Sequence, residues 1–128
     1  LSWDEVRELG GKGFAVGSHT VDHPILTRVG AEKLDRELRE SKARIERELG
    51  FSCPCFTYPN GGPSDVTPEV VSRVRAAGYE LAFALTGGIN RQALDPLMID
   101  RCNISGRLAP CVFRGRVSGL LALMGTGR

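Results

Sequence analysis

The 128-residue sequence has no excess charge of either sign: 17 Lys and Arg stand against 15 Asp and Glu, a formal net charge of +2. Such a balance sets up no field to draw in a polyanion, and no basic stripe is interleaved with aromatics, which excludes nucleic acid as the expected partner. A long apolar run is also lacking. No stretch approaches the roughly 20 apolar residues of a transmembrane segment, and no basic stretch followed by an apolar one stands at the start. The chain opens on Leu1 rather than Met, so the compartment stays open. Cysteine is sparse. Cys53, Cys55, Cys102 and Cys111 are too few for a disulfide-stapled scaffold, and Cys53 and Cys55 stand too close along one strand to bridge easily. Buried or incidental thiols are the plain reading. A thiol-metal or redox module on Cys53-Pro54-Cys55 is a rival, weakened because productive pairs usually have two residues between the cysteines. Histidine is scarce as well, with His19 and His23 alone in the chain.

What is present reads as one globular domain, with 41% hydrophobic and 25% charged residues. Ser2 and Glu5 have the form of a capping box, with Leu1 and Val6 placed to close a hydrophobic staple. Trp3, Val6 and Leu9 make the apolar stripe of a first helix, which Gly10 and Gly11 are expected to stop. Residues 14–18 then read as a short buried strand. From Ala31 to Leu49, Leu34, Leu38, Ile45 and Leu49 recur at helical spacing. The pairs Glu32/Arg36, Asp35/Arg39 and Glu40/Arg44 suit a solvated outer face. Gly50 ends this helix, residues 55–58 form the next strand, and Pro59-Asn60-Gly61-Gly62-Pro63 makes a turn. Thr67 as N-cap with Pro68 behind it opens a third helix with Val70, Val71, Val74 and Ala77 inward. A strand over 79–85, a loop over 86–96, a strand within 97–104 and a Gly-interrupted helix over 112–124 complete the series.

That alternation predicts an α/β fold with a parallel sheet. It begins on a helix, whereas a helix in such a fold normally joins two parallel strands, so a preceding strand is expected to be absent from the sequence. About four strands cannot close a barrel that usually takes eight, so the expected architecture is incomplete.

The two histidines stand four apart in Ser18-His19-Thr20-Val21-Asp22-His23-Pro24. On a helical turn that spacing points both imidazoles the same way, able to hold one metal ion, although it also fits ordinary surface or core histidines. Their position favours a site, because His19 directly follows an expected strand, and sites in parallel α/β folds form at strand C-terminal ends. The Tyr58 to Gly62 turn follows the next strand in the same way. A turn of Pro, Asn and Gly leaves N–H groups free for a ligand and could form part of an oxyanion hole.

Gly17-Ser18-His19-Thr20-Val21-Asp22-His23-Pro24-Ile25-Leu26 and Phe56-Thr57-Tyr58-Pro59-Asn60-Gly61 closely resemble two motifs of the polysaccharide deacetylase family. This family is also known as the NodB-homology or carbohydrate esterase family 4 domain. The resemblance includes Leu1-Ser2-Trp3 and Arg75-Ala76-Ala77-Gly78-Tyr79 and is clearest over residues 1–104. It implies one partial domain over 1–128, the C-terminal portion of an irregular (β/α) barrel. It also implies a metal-dependent hydrolase that removes N-acetyl groups from the amino sugars of a polysaccharide. By the resemblance His19 and His23 are metal ligands, for Zn²⁺ or else Co²⁺ or Ni²⁺, and Thr20 holds the loop in shape. The Asn60 backbone N–H contacts the oxyanion, and Tyr58, Pro59 and Gly61 lie at an N-acetylated glycan substrate.

The departures from the family pattern are as pointed. No Thr-Phe-Asp-Asp-Gly motif, the family's source of the base and the third ligand, occurs in these 128 residues, so the expected partner is a segment of the same protein that carries it. Thr57 stands where the family has an arginine that orients the catalytic aspartate. No further histidine is left to act as general acid. Arg101 is a candidate for a supporting role, and Asp22, Asp65, Asp95 and Asp100 are the carboxylates near the loops. Whether the chain is itself an enzyme is therefore open, with a catalytically inactive remnant that binds carbohydrate or a partner chain as the alternative.

Overall fold

The structure, a computed structural model, describes residues 1–87, 90 and 94–120. Helix α1 spans Trp3–Gly11 and is opened by the expected capping box: Ser2 and Glu5 bond each other's backbone N–H groups. Leu1 is 93% exposed, so no staple closes over it. The helix also runs through Gly10 and Gly11. It ends where Gly13 turns left-handed, with Gly13 N–H bonded to Gly10 O and Phe14 N–H to Leu9 O. Those two bonds are a Schellman cap. They draw Phe14 into the helix end and away from the sheet, which corrects the expected strand over 14–18. Phe14 is 62% exposed, and only Ser18 pairs, in a single parallel bridge to Phe56.

After a 3₁₀ turn at Leu26–Arg28 comes helix α2, Ala31–Leu49, which Gly50 ends in the left-handed conformation. Strand β1, Cys55–Thr57, helix α3, Pro68–Ala76, and strand β2, Leu81–Ala84, follow. Strand β3 is Ile99–Asp100 and helix α4 is Pro110–Val117. The expected loop over 86–96 falls partly outside the described residues, as do positions 121–124 of the last expected helix. The sheet has the order β1-β2-β3 and is parallel throughout, with Cys55 opposite Leu81 and Phe83 opposite Ile99. The class is mixed α/β with a parallel sheet. Three described strands form an open sheet rather than a barrel.

The core lies where α2 and α3 meet the sheet. Leu34 and Leu38 of α2, Val70 and Val74 of α3, and Phe56, Ala82 and Ala84 of the sheet are buried together with Tyr58 and Tyr79. Each large apolar side chain so buried contributes roughly 1.5–3 kcal/mol, which outweighs the surface charge pattern in fixing these helices. Asp35 accordingly turns to Arg73 on α3, 2.9 Å away, rather than to Arg39, and Arg44 reaches Glu48 rather than Glu40. No helix among the described residues is long and apolar enough to cross a membrane.

Candidate functional site

Ser18 is held on both sides by β1: its N–H donates to Cys55 O at 2.9 Å and its carbonyl accepts from Thr57 N–H at 2.8 Å. His19 therefore leaves the sheet level with the C-terminal end of β1. Its Nδ1 lies 2.7 Å from Thr57 O. A carbonyl only accepts, so Nδ1 carries a proton, and the position left for a ligand is Nε2, which holds the lone pair in the tautomer this bond selects. The His23 ring stands edge-on to it, with centroids 4.7 Å apart.

The histidines meet by a route different from the expected helical turn. Thr20 has φ 68° and His23 φ 55°, so the loop reverses through two left-handed residues. Each such residue costs on the order of 1–2 kcal/mol, most for a β-branched side chain such as Thr20. The loop contains its own compensation. Thr20 Oγ1 donates to His19 O at 2.5 Å and accepts from His23 N–H at 3.1 Å. Glu37 adds two bonds from α2: its Oε2 accepts from Val21 N–H at 2.8 Å and Asp22 N–H at 3.0 Å. Glu37 is 1% exposed, and its Oε1 has no hydrogen-bond partner among the described residues. Ser41, one turn further on, donates to Glu37 O at 2.6 Å and accepts from the Ser18 hydroxyl at 2.7 Å.

The charge pattern of α2 predicts a solvated outer face, which hides the inward carboxylate of Glu37. The signal was there: 37 and 41 fall on the same stripe as Leu34, Leu38 and Ile45, where a carboxylate can stand only if it is bonded.

The turn after β1 is equally fixed. Tyr58 is wholly buried, its hydroxyl donating to Leu97 O at 2.9 Å. Gly61, at φ 77°, leaves little room for a side chain: a Cβ there would stand 3.2 Å from Leu85 N. Tyr58, Pro59 and Gly61, expected at the substrate, are thus buried in the turn's base. Asn60 is the exposed residue, left-handed at φ 56°, and its N–H donates to none of the described residues. Arg101, just after β3, donates through one Nη2 to both Tyr58 O and Asn60 O, each at 3.2 Å.

Three of the four aspartates near the loops are committed elsewhere. Asp65 accepts from Gly62 N–H, Asp95 from Leu97 N–H, and Asp100 from the Thr86 N–H and hydroxyl. Among the described residues no third His, Cys, Asp or Glu converges on a metal position. The histidine pair nevertheless fits its share of one. Two imidazoles bound to one tetrahedral ion at about 2 Å hold their centroids roughly 5 Å apart, close to the 4.7 Å found. The four cysteines are free thiols, and burial pushes the Cys53 thiol up from its ordinary value, which makes it a poor nucleophile or ligand.

The fold is that of an α/β protein with a parallel sheet, and the paired imidazoles and a turn N–H without a partner among the described residues stand at the C-terminal end of one of its strands, where sites in such folds form. The particular family follows from sequence: the profile described as polysaccharide deacetylase matches residues 2–82, and the chain belongs to that family. Solved structures agree in fold. The Streptococcus pyogenes deacetylase PplD, in complex with acetate, is similar at TM-score 0.77 and 21% identity over 100% of this chain and 51% of its own. BC0361, a polysaccharide deacetylase from Bacillus cereus, gives TM-score 0.76 and 26% identity over 91% and 36%. IcaB from Ammonifex degensii gives 0.72 and 23% over 99% and 53%. The chain thus spans about half or less of the length of these structures. No curated protein sequence is a significant match to it.

Proposed function

We propose that the protein is a metal-dependent hydrolase that removes N-acetyl groups from the amino sugars of a polysaccharide. In this reading the 128 residues carry the histidine half of the site within an irregular (β/α) barrel. The observation that carries it is the paired imidazoles, 4.7 Å apart, with His19 Nδ1 directed to Thr57 O. Carbonyl-bonded histidines with Nε2 free are the usual form of metal-ligating imidazole. Family membership and the acetate held by the Streptococcus pyogenes relative fit the same chemistry, since acetate is what N-acetyl hydrolysis releases.

His19 and His23 would hold the ion, with Zn²⁺ first and Co²⁺ or Ni²⁺ also suited to imidazole. A divalent cation there supplies Lewis-acid activation of a carbonyl and of water. The Asn60 N–H donates to the oxygen of the acetyl carbonyl as charge develops on it, and Arg101 keeps that N–H in place by holding the carbonyls on either side. Tyr58, Pro59 and Gly61 act on the glycan through the shape they give the turn. The base and the carboxylate ligand belong to a segment bearing the Thr-Phe-Asp-Asp-Gly motif.

The rival, glycan binding without turnover, is favoured by one observation: no third ligand converges among the described residues. Acetate release from N-acetylated oligosaccharides separates the two. It is measured for residues 1–128 alone and for these residues fused behind a motif-bearing segment of a family member. Release by the fusion alone, lost with a chelator and with His19→Ala, is the expected result. Zn²⁺-dependent release by residues 1–128 alone would place the base within them. Glycan binding without release by either would establish the rival.

A further inference from the structure

Two successive N–H groups, those of Val21 and Asp22, point at one oxygen of a carboxylate that reaches them from a different element, α2. They lie between Thr20 and His23, the two left-handed residues that bring the rings together. Such paired N–H groups form a concave anion site. Here Glu37, buried in the stripe that α2 turns to the core, fills it from inside. Among the described residues the only other hydrogen bonds within this stretch are made by Thr20 Oγ1, which belongs to the loop and cannot anchor it to the rest of the protein.

We propose that Glu37 is the positioning residue of the histidine pair: its carboxylate fixes the loop from α2, so that His23 meets His19 at one ion position. The proposal rests on the metal-binding reading above. The roles divide cleanly. Thr57 O sets the rotation of the His19 ring, Ser18 sets where that residue leaves the sheet, and Glu37 sets where the chain carries His23. Groups that hold metal ligands in place, without touching the ion, typically change affinity by about 10–100-fold when removed.

The test is a titration with Co²⁺, read by the visible absorption of the bound ion, which reports affinity and ligand geometry without any turnover. It compares the parent protein with Glu37→Gln, Glu37→Ala and Tyr79→Phe. The last loosens the same helix by removing the hydroxyl bonded to Leu38 O and 3.4 Å from Ser41 Oγ, yet removes neither of the bonds from Glu37 to the Val21 and Asp22 N–H groups. Glu37→Ala should weaken Co²⁺ binding by about 10–100-fold with a changed spectrum. Glu37→Gln, which keeps the shape and one acceptor, should fall between it and the parent. Tyr79→Phe should bind as the parent does, whatever its loss in thermal stability. Parent-like affinity and spectrum in both folded Glu37 variants would overturn the proposal while leaving the metal reading intact, and so would an equal loss in Tyr79→Phe. A parent protein that binds no Co²⁺, with His19→Ala indistinguishable from it, would remove the metal reading and this inference together.

Discussion

At the scale of single residues, the site depends on backbone conformations that most side chains avoid. Thr20, His23 and Asn60 are all left-handed without being glycine, and all three lie beside the atoms assigned to chemistry. Strain held in this way persists only when neighbours over-determine it. Asn60 is the most tolerant of the three, since asparagine enters this region readily. Asn60→Gly is therefore expected to keep a stability near the parent's, whereas Asn60→Val should lower it by about 1–2 kcal/mol in urea denaturation. Gly61→Ala joins a positive φ to a close contact with Leu85 N and should cost more than about 1 kcal/mol by the same measurement. For the proposed ligands, isothermal titration with Zn²⁺ should show each of His19→Ala and His23→Ala losing most of the binding heat, because a single imidazole is a weak site.

At the scale of elements, α2 serves both the core and the site. Leu34 and Leu38 seat it on the sheet, and the residue between them in the stripe, Glu37, holds the loop. Leu38→Ala should cost about 2–5 kcal/mol by urea denaturation, with the spread set by how far the pocket collapses. The helices themselves were legible in sequence. The capping box at Ser2, the N-cap at Thr67 with Pro68 behind it, and the glycine stop after Leu49 are local bonds between residues a few positions apart. The strand expected over 14–18 was not, because its apolar residues give a pattern while hydrogen bonding decides the element. Gly13 offered a left-handed cap that captured Phe14 first.

At the scale of the whole molecule, two buried phenols tie the sheet to what surrounds it. Tyr58 reaches Leu97 O and Tyr79 reaches Leu38 O, and burial, the largest cause for each, pushes both phenols up from the ordinary value of 10. The sign follows from which state ionises first. Below pH 10 both states hold the phenol protons and the stabilisation is complete. As pH rises past 10 the unfolded chain deprotonates before the folded one, and stability is lost up to the raised folded values. Thermal melts from pH 8 to 11.5 should thus show a midpoint that falls most steeply above pH 10, with a shallower fall there in Tyr58→Phe. A midpoint that held steady through that range would show that these phenols ionise as freely folded as unfolded.

The sequence alone determined the family, the places of the helices, and the His19 and His23 pair, because each rests on residue identity or on contacts within one turn. It also located the Asn60 turn. Only the tertiary structure decided what surrounds them. It buried Tyr58 and Pro59, set Arg101 beneath the turn from 41 residues away, and brought Glu37 to the loop across 15 and 16 positions. A helical charge pattern does not reveal which one of its carboxylates faces inward. That is settled when α2 packs on the sheet, where a buried carboxylate must find N–H donors and the histidine loop presents two.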